Sequence, residues 1–366
     1  MAGGTAGGPV VLAAPDAFKL TASAAEVADA VAAGAARARG LPGAMPGPRC
    51  DRCPLSDGGE GFVDVLAGLG GELRRSEVTG PAGEPVVATW RLAGDLAVVE
   101  AASACGLGLA GGPEANDPVG ATTLGVGELV VAALDAGARR ILVGVGGTAT
   151  TDGGAGALAA LGEAGVARLA GVELVVACDV SVRLAAAAER FSPQKGATPS
   201  QVGVLRRRLR AQAEVLRRRA GHDVAALAGS GAGGGLAAGL AAVGGRLRSG
   251  AGVVADAVGL DRRLAAADVV VTGEGRLDAT SFAGKVVGEV LRRAAAAGLP
   301  AVVVAGSTDP SARVPGGAGA VDLSARFGAG AAWRHPAWCT AVAVAEVLGP
   351  VLVAGVSGAS RGPGGR

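Results

Sequence analysis

The sequence predicts an α/β fold built on parallel sheets and long enough for two domains. Three observations carry this. Short Val-rich runs recur along the chain, and each ends in an acidic residue or a glycine-rich loop. Ala-rich segments with helix-start signals lie between them. The 366 residues suggest two domains at roughly 150 residues each. Half the residues are apolar and 18% are charged, which excludes a disordered chain. The 65 glycines follow no three-residue period, which excludes collagen.

Residues 10–14 read as a buried strand ending at Pro15-Asp16. Ser23-Ala24-Ala25-Glu26 is a capping box, with Ala-rich helix to about Arg39. Asp16 and Lys19 thus fall between a strand end and a helix start, where α/β sheets bind anions. Residues 40–49 are Pro- and Gly-rich loop. Cys50-Asp51-Arg52-Cys53 is a lone CxxC, better read as two incidental thiols than as a zinc or redox site. In Asp57-Gly58-Gly59-Glu60, two acids flank a glycine pair at a helix start. Glycines let backbone approach a ligand and the acids can bind hydroxyls or a metal; a plain Asp-Gly turn is the alternative.

Residues 86–92 and 96–100 pattern as a hairpin, Asn116-Asp117-Pro118 as a turn, and 126–136 as a helix capped by Gly137. Residues 139–145 form a strand running into Gly146-Gly147-Thr148, and the loop reaches Asp152-Gly153-Gly154. A dinucleotide fingerprint is partly matched here. The second glycine pair, however, falls where that motif's helix should already be running, so a Gly- and Thr-lined anion loop fits better. Residues 172–178 are a strand ending at Asp179, and Lys195 lies in the loop that follows. Residues 202–219 form a helix with Leu205, Leu209 and Leu216 inward and arginines outward. The uncharged stretch 224–245 has too many glycines for a membrane span and reads as a packing or phosphate loop entering a helix. Residues 269–271 are a buried strand that ends in a loop holding Glu274 and Asp278, and Gly284-Lys285 opens a helix without completing a Walker A motif. A last strand spans 301–305, and 357–366 read as a disordered tail.

Net charge is +2 and aromatics are 2%, so neither a basic field nor a base-stacking platform for nucleic acid is expected. Five scattered cysteines and an N-terminus without a signal-peptide pattern point to a reducing, cytoplasmic setting without membrane association. The two histidines, His222 and His335, sit in no motif, which disfavours a Ser-His-Asp triad or a His-based zinc site. The 34 basic residues include only three lysines, Lys19, Lys195 and Lys285, and there is one asparagine, Asn116. A lysine that persists against an arginine bias is a candidate for a role that needs a compact ammonium. Lysines, repeated glycine pairs and acids after strands together suggest phosphoryl transfer. That reaction needs donors on phosphates, acids for Mg²⁺, and a group that orients the attacking hydroxyl.

These residues resemble the bacterial-type glycerate kinases (glycerate 2-kinase, type 1). The resemblance is carried by APDAFK with SAAEVA, PLSDGGEGF, VVEAASACGLGL, NDPVGATTLGVGEL, VGVGGTATTDGGAGALAALG, ACDV, PQKGAT, GSGAGGG and ADVVVTGEGRLD with GK, in that order. It implies ATP- and Mg²⁺-dependent phosphorylation of D-glycerate, at the 2-hydroxyl, and allows a homodimer. It also implies a discontinuous flavodoxin-like parallel-sheet domain (1–78 with 266–356) and a second α/β domain inserted in it (79–265), with the active site in the cleft between them. The expected catalytic residues are Asp16, Lys19, Asp152 and Lys195, with Asp152 orienting or deprotonating the hydroxyl. Asp57, Gly58, Gly59, Glu60, Gly146, Gly147, Thr148, Glu274, Asp278 and Lys285 are expected to bind substrate or phosphate, and Asp179 and Glu274 to hold metal. The chain departs from the family pattern at Ala17, at Leu20-Thr21, at 181–188 and at Thr280, all substrate-side loops. The second reading is a non-catalytic binder of small acids or nucleotide on the same fold.

Overall fold

The computed structural model describes residues 8–39, 46–178 and 181–359. Eleven strands occur among them: β1 (Val10–Ala13), β2 (Arg49–Arg52), β3 (Glu72–Thr79), β4 (Pro85–Ala93), β5 (Leu96–Glu100), β6 (Arg140–Gly144), β7 (Glu173–Cys178), β8 (Arg246–Ser249), β9 (Val269–Leu277), β10 (Ala301–Thr308) and β11 (Gly319–Asp322). They form two sheets in two compact units, one made of Met1–Ser56 with Ala255–Arg366 and the other of Asp57–Val254.

The first unit has the sheet order β2-β1-β9-β10-β11, with every pairing parallel. Renumbered within the unit this is 2-1-3-4-5, the flavodoxin-like order, whose topological switch point lies between β1 and β9. Val-rich stretches make the central strands β1, β9 and β10 apolar on both faces, as a sheet covered on both sides requires. Val11, Ala13, Val269, Val271, Val302 and Val304 pack on one side against the helix Ala24–Ala35 and the C-terminal helix Pro336–Ala359. On the other side Val303 and Ala305 meet Val287 and Leu291.

The C-terminal helix contains a stretch, Pro336–Ala354, long and apolar enough to cross a membrane, with mean hydropathy 1.8. Its buried residues, among them Cys339, Ala343, Val344 and Leu348, belong to the core of this unit. Sequence patterning points to 224–245 instead. That stretch folds as short turns and the helix Leu236–Ala241, every residue of which is buried in the second unit. The C-terminal helix also takes in residues 357–359, expected in the tail; 360–366 lie outside the described residues.

Small residues set how closely the helices approach. A Cβ on Gly34 would lie 2.6 Å from the Ala341 carbonyl oxygen and 2.8 Å from the Val344 Cβ. Alanine at 34 would gain about 1 kcal/mol of helix propensity. It would also force two packed helices apart, and overpacking costs about 1–3 kcal/mol. Backbone cannot yield as a side-chain tip can, so the packing cost outweighs the gain in propensity. Gly34→Ala is expected to lower the urea unfolding free energy by up to about 2 kcal/mol; a more stable variant would contradict this packing.

The second unit has the order β3-β4-β5-β6-β7-β8. β3, β4 and β5 are antiparallel, and β5 through β8 are parallel. β3 pairs with β4 along all eight of its residues, which places 72–78 with this unit, whereas the expected boundary lay at 78/79. The exposed, charged sequence of this edge strand hides it from pattern reading. The helices Leu124–Asp135 and Ala155–Arg168 supply Val126, Leu129, Val130, Ala157 and Leu161 to a core closed by Ile141, Val143 and Val176.

Candidate active site

The candidate residues fall into two groups, one in each unit. In the first unit the chain leaves β1 at Ala14 and turns beside β9. The Asp16 N–H donates to the Gly273 carbonyl at 2.9 Å, and the Asp16 side chain is buried. A tight turn follows. The N–H groups of Thr21 and Ala22 and the Thr21 hydroxyl all donate to the Phe18 carbonyl, at 2.8, 2.9 and 2.9 Å. Phe18 is buried beneath this turn, while Lys19 and Leu20 are exposed at its tip. Leu20 has φ 69° and is the sole non-glycine residue with positive φ among the described residues. A leucine held there costs roughly 1–2 kcal/mol.

Across the switch point, β9 does not end at Val271 as expected but continues to Leu277. Gly273 makes this continuation feasible, because a Cβ there would collide with the Val304 backbone of β10. Glu274 is therefore a strand residue, 8% exposed, with Oε1 lacking any hydrogen-bond partner. Burial raises its pKa above the ordinary glutamate value; the Ser281 side chain and the Lys285 and Lys19 charges pull it part-way back. Lys285 is the N-cap residue of the helix Val286–Ala296. Asp278 receives the Thr280 N–H at 2.8 Å and the Thr280 hydroxyl at 2.6 Å, and these bonds hold its carboxyl below the usual range. Its side chain thus shapes the turn 278–282. Asp16, Lys19, Glu274 and Lys285 remain as the groups this unit gathers around one end of its sheet.

In the second unit the turn 57–61 lies over the ends of β6 and β7. The Gly146 N–H donates to the Gly58 carbonyl at 3.0 Å, and the Gly59 N–H to Asp57 Oδ1 at 3.1 Å. Gly58 has φ 93°, and a Cβ there would sit 2.8 Å from the Ala177 carbonyl oxygen, so conformation and space both demand glycine. Asp57 is buried and Glu60 exposed. Glu100 caps the helix Phe62–Val65 by accepting the N–H groups of Gly61 and Val63, each at 3.2 Å.

After β6 the Gly146-Gly147-Thr148 loop leads to a buried lysine. Lys195 is 5% exposed; its Nζ donates to the Thr150 carbonyl at 2.6 Å and to the Thr148 hydroxyl at 3.3 Å. Burial lowers its pKa to about 8, against an opposing pull from Cys105 and Asp152.

Asp152 is held by its neighbours. Its Oδ2 accepts the Thr123 N–H at 3.0 Å, the Thr123 hydroxyl at 2.8 Å and the Gly156 N–H at 3.1 Å, and its Oδ1 accepts the Gly154 N–H at 2.9 Å. Four donors on one carboxylate make a clamp at the start of the helix Ala155–Arg168. Asp152→Asn would turn an amide toward backbone N–H groups. It is expected to cost about 2–3 kcal/mol of stability, seen as a lowered Tm; an inactive variant with native Tm would support the catalytic role.

Asp179 lies outside the described residues, which contain no cluster of three or more His, Cys, Asp or Glu side chains able to hold a metal. The five cysteines, Cys50 and Cys53 included, are free.

The glycerate kinase family model matches residues 11–166 and 163–325. The chain belongs to the glycerate kinase family. An uncharacterized protein of Mycobacterium bovis is 46% identical over 312 residues, covering 82% of this chain and 80% of its own. Glycerate 2-kinase of Escherichia coli is 37% identical over 330 residues, covering 81% and 85%. A solved structure, "Crystal structure of putative glycerate kinase 2 from Salmonella typhimurium LT2", superposes with a TM-score of 0.75 at 33% identity, covering 96% of this chain and 100% of that one. The family is a kinase family, so the chain is an enzyme. Family membership leaves no support for a dinucleotide-binding reading of the Gly146 loop. Sequence reasoning flags Asn116 by its rarity alone and gives it no role. It misses Thr123, which holds Asp152, since a threonine carries no signal of its partner.

Proposed function

We propose that this enzyme transfers the γ-phosphoryl group of ATP to the 2-hydroxyl of D-glycerate. The observation that supports this best is the buried ammonium of Lys195 beside the Gly146–Thr148 loop, 2.6 Å from the Thr150 carbonyl. A charge kept at that depth costs stability and is retained where a charge is needed. In phosphoryl transfer that need is for cations and backbone donors on the phosphates.

The role assignments follow from each group's surroundings. Lys195 neutralises charge on the transferring phosphoryl, and the exposed Gly147 lip gives phosphate oxygens access to the backbone. Lys19 and Lys285 are exposed or half-buried cations suited to a carboxylate or to phosphate oxygens. Asp16 and Asp57, both buried, can accept the substrate hydroxyls. Mg²⁺ uses one or two carboxylates and otherwise keeps water and phosphate ligands. The unpartnered, buried Oε1 of Glu274 fits one such ligand. When bound, the ion would supply charge neutralisation at the phosphates.

The test is ³¹P NMR of a reaction holding ATP, Mg²⁺ and D-glycerate. Phosphorus on the 2-oxygen couples to one carbon-bound proton and appears as a doublet. On the 3-oxygen it couples to two and gives a triplet. The doublet is expected; a triplet would move the reaction to the 3-hydroxyl, and no phosphoglycerate at all would defeat the proposal.

A further inference from the structure

We infer that Asn116 is a positioning residue of this kinase: its one amide holds the Ala149 and Lys195 carbonyls together and so keeps the Lys195 ammonium seated against the Thr148–Thr150 loop. The inference rests on the phosphoryl-transfer reading above and assigns Asn116 the part of building the phosphate site. Asn116 Nδ2 donates to the Ala149 carbonyl at 3.1 Å and to the Lys195 carbonyl at 2.8 Å. Two carbonyl acceptors fix which end of the amide faces them, since its oxygen would be repelled there. No aspartate, serine or alanine could donate two bonds from one atom in this place.

Asn116 is itself fixed, its N–H donating to the Gly112 carbonyl at 3.1 Å. The turn it grips is pressed on the same segment: Gly196 has φ 90°, and a Cβ there would collide with the Pro113 carbonyl. The Ser192 and Thr151 hydroxyls, 3.4 Å apart, form a second link between the two strips of chain. Three segments remote in sequence therefore meet at one asparagine, in a chain that uses this residue nowhere else. The titratable groups facing Lys195 are the buried Cys105 thiol and the Asp152 carboxylate. Cys105 is held neutral by burial, with its pKa pushed up to about 12, and Asp152 is engaged by four donors, so neither supplies a pinning ion pair. Seating the ammonium falls to the backbone geometry that Asn116 secures.

With only three lysines in the chain, each can be followed separately by competitive acetic anhydride labelling and mass spectrometry across pH 6–11. In the native enzyme Lys195 is expected to titrate near 8. In Asn116→Ala water reaches the ammonium. Its titration should then move up by about 1 pH unit or more, with Lys19 and Lys285 unmoved. In the kinase assay, kcat should fall about 10-fold or more while KM for the acceptor stays within about 3-fold, as for a misplaced group acting in the transition state. Lys195 titrating as in the native enzyme, or native kcat with a shifted titration, would overturn the inference. If Asn116→Ala does not fold, Asn116→Ser takes its place with the same two readouts. Should the native enzyme transfer no phosphoryl group, the proposed function fails, and the labelling still decides whether Asn116 seats the lysine.

Discussion

Lys195→Met is expected to cut phosphoryl transfer by about 10²–10³-fold, the usual effect of removing a preorganised charged donor, while leaving Tm within a few degrees of native. The pairing of these outcomes follows from the burial of this lysine. Its pKa falls from 10.5 in the unfolded chain to about 8 in the folded one. Between those values the unfolded chain binds more protons, so stability from this group rises with pH. The cost of the buried charge is fully present below pH 8 and disappears as pH approaches 10.5. A shift of that size corresponds to a few kcal/mol. Methionine removes the cost but leaves the Thr150 carbonyl without its donor, a loss of about 1–3 kcal/mol. The two nearly cancel. Thermal melts and steady-state rates on the same preparations check both halves. Full activity in the variant, or loss of activity only through loss of fold, would show Lys195 to be structural.

Glu274→Gln should behave alike for the opposite charge. The substitution keeps shape and removes one ionisation. Burial raises the Glu274 pKa in the folded chain, so this group favours folding when protonated. That contribution is present below its unfolded value of 4.5 and is lost as pH rises through the raised folded value. At neutral pH the carboxylate is a liability to the fold, and the glutamine variant should melt at or above the native Tm. Activity should fall about 100-fold or more if the unpartnered Oε1 serves a metal ion or a substrate hydroxyl. Any acid-side decline of native activity that follows protonation of Glu274 should be absent from the residual activity of the variant. A Glu274→Gln enzyme with native turnover would remove this carboxylate from the chemistry.

Much of the fold is legible in the sequence because its signals are local. The Ser23–Glu26 capping box forms as read, with the Ser23 hydroxyl accepting the Glu26 N–H at 3.2 Å. Leu205, Leu209 and Leu216 are buried as their spacing requires. The apolar runs of β1, β6 and β7 leave little choice but strand. What stays hidden depends on partners far along the chain. Glu274 looks like a loop residue because two glycines flank it. Only the approach of β10 shows that Gly273 serves a strand. Asp152 looks catalytic beside two glycine pairs, and nothing local reveals that Thr123, 29 positions earlier, closes on it. Lys195 is legible by rarity, yet its depth and its depressed pKa come from the loop folded over it. Asn116 stands out by the same rarity, but its role appears only where two distant carbonyls converge.

Both units spend stability on buried ionised groups that the fold alone does not require. The pH–rate profile of native phosphoryl transfer to D-glycerate between pH 5 and 10 tests this most directly. An alkaline limb near 8 is expected, absent from the residual activity of Lys195→Met, and any acid limb is absent from that of Glu274→Gln. A flat profile across this range, or limbs that persist unchanged in both variants, would contradict it.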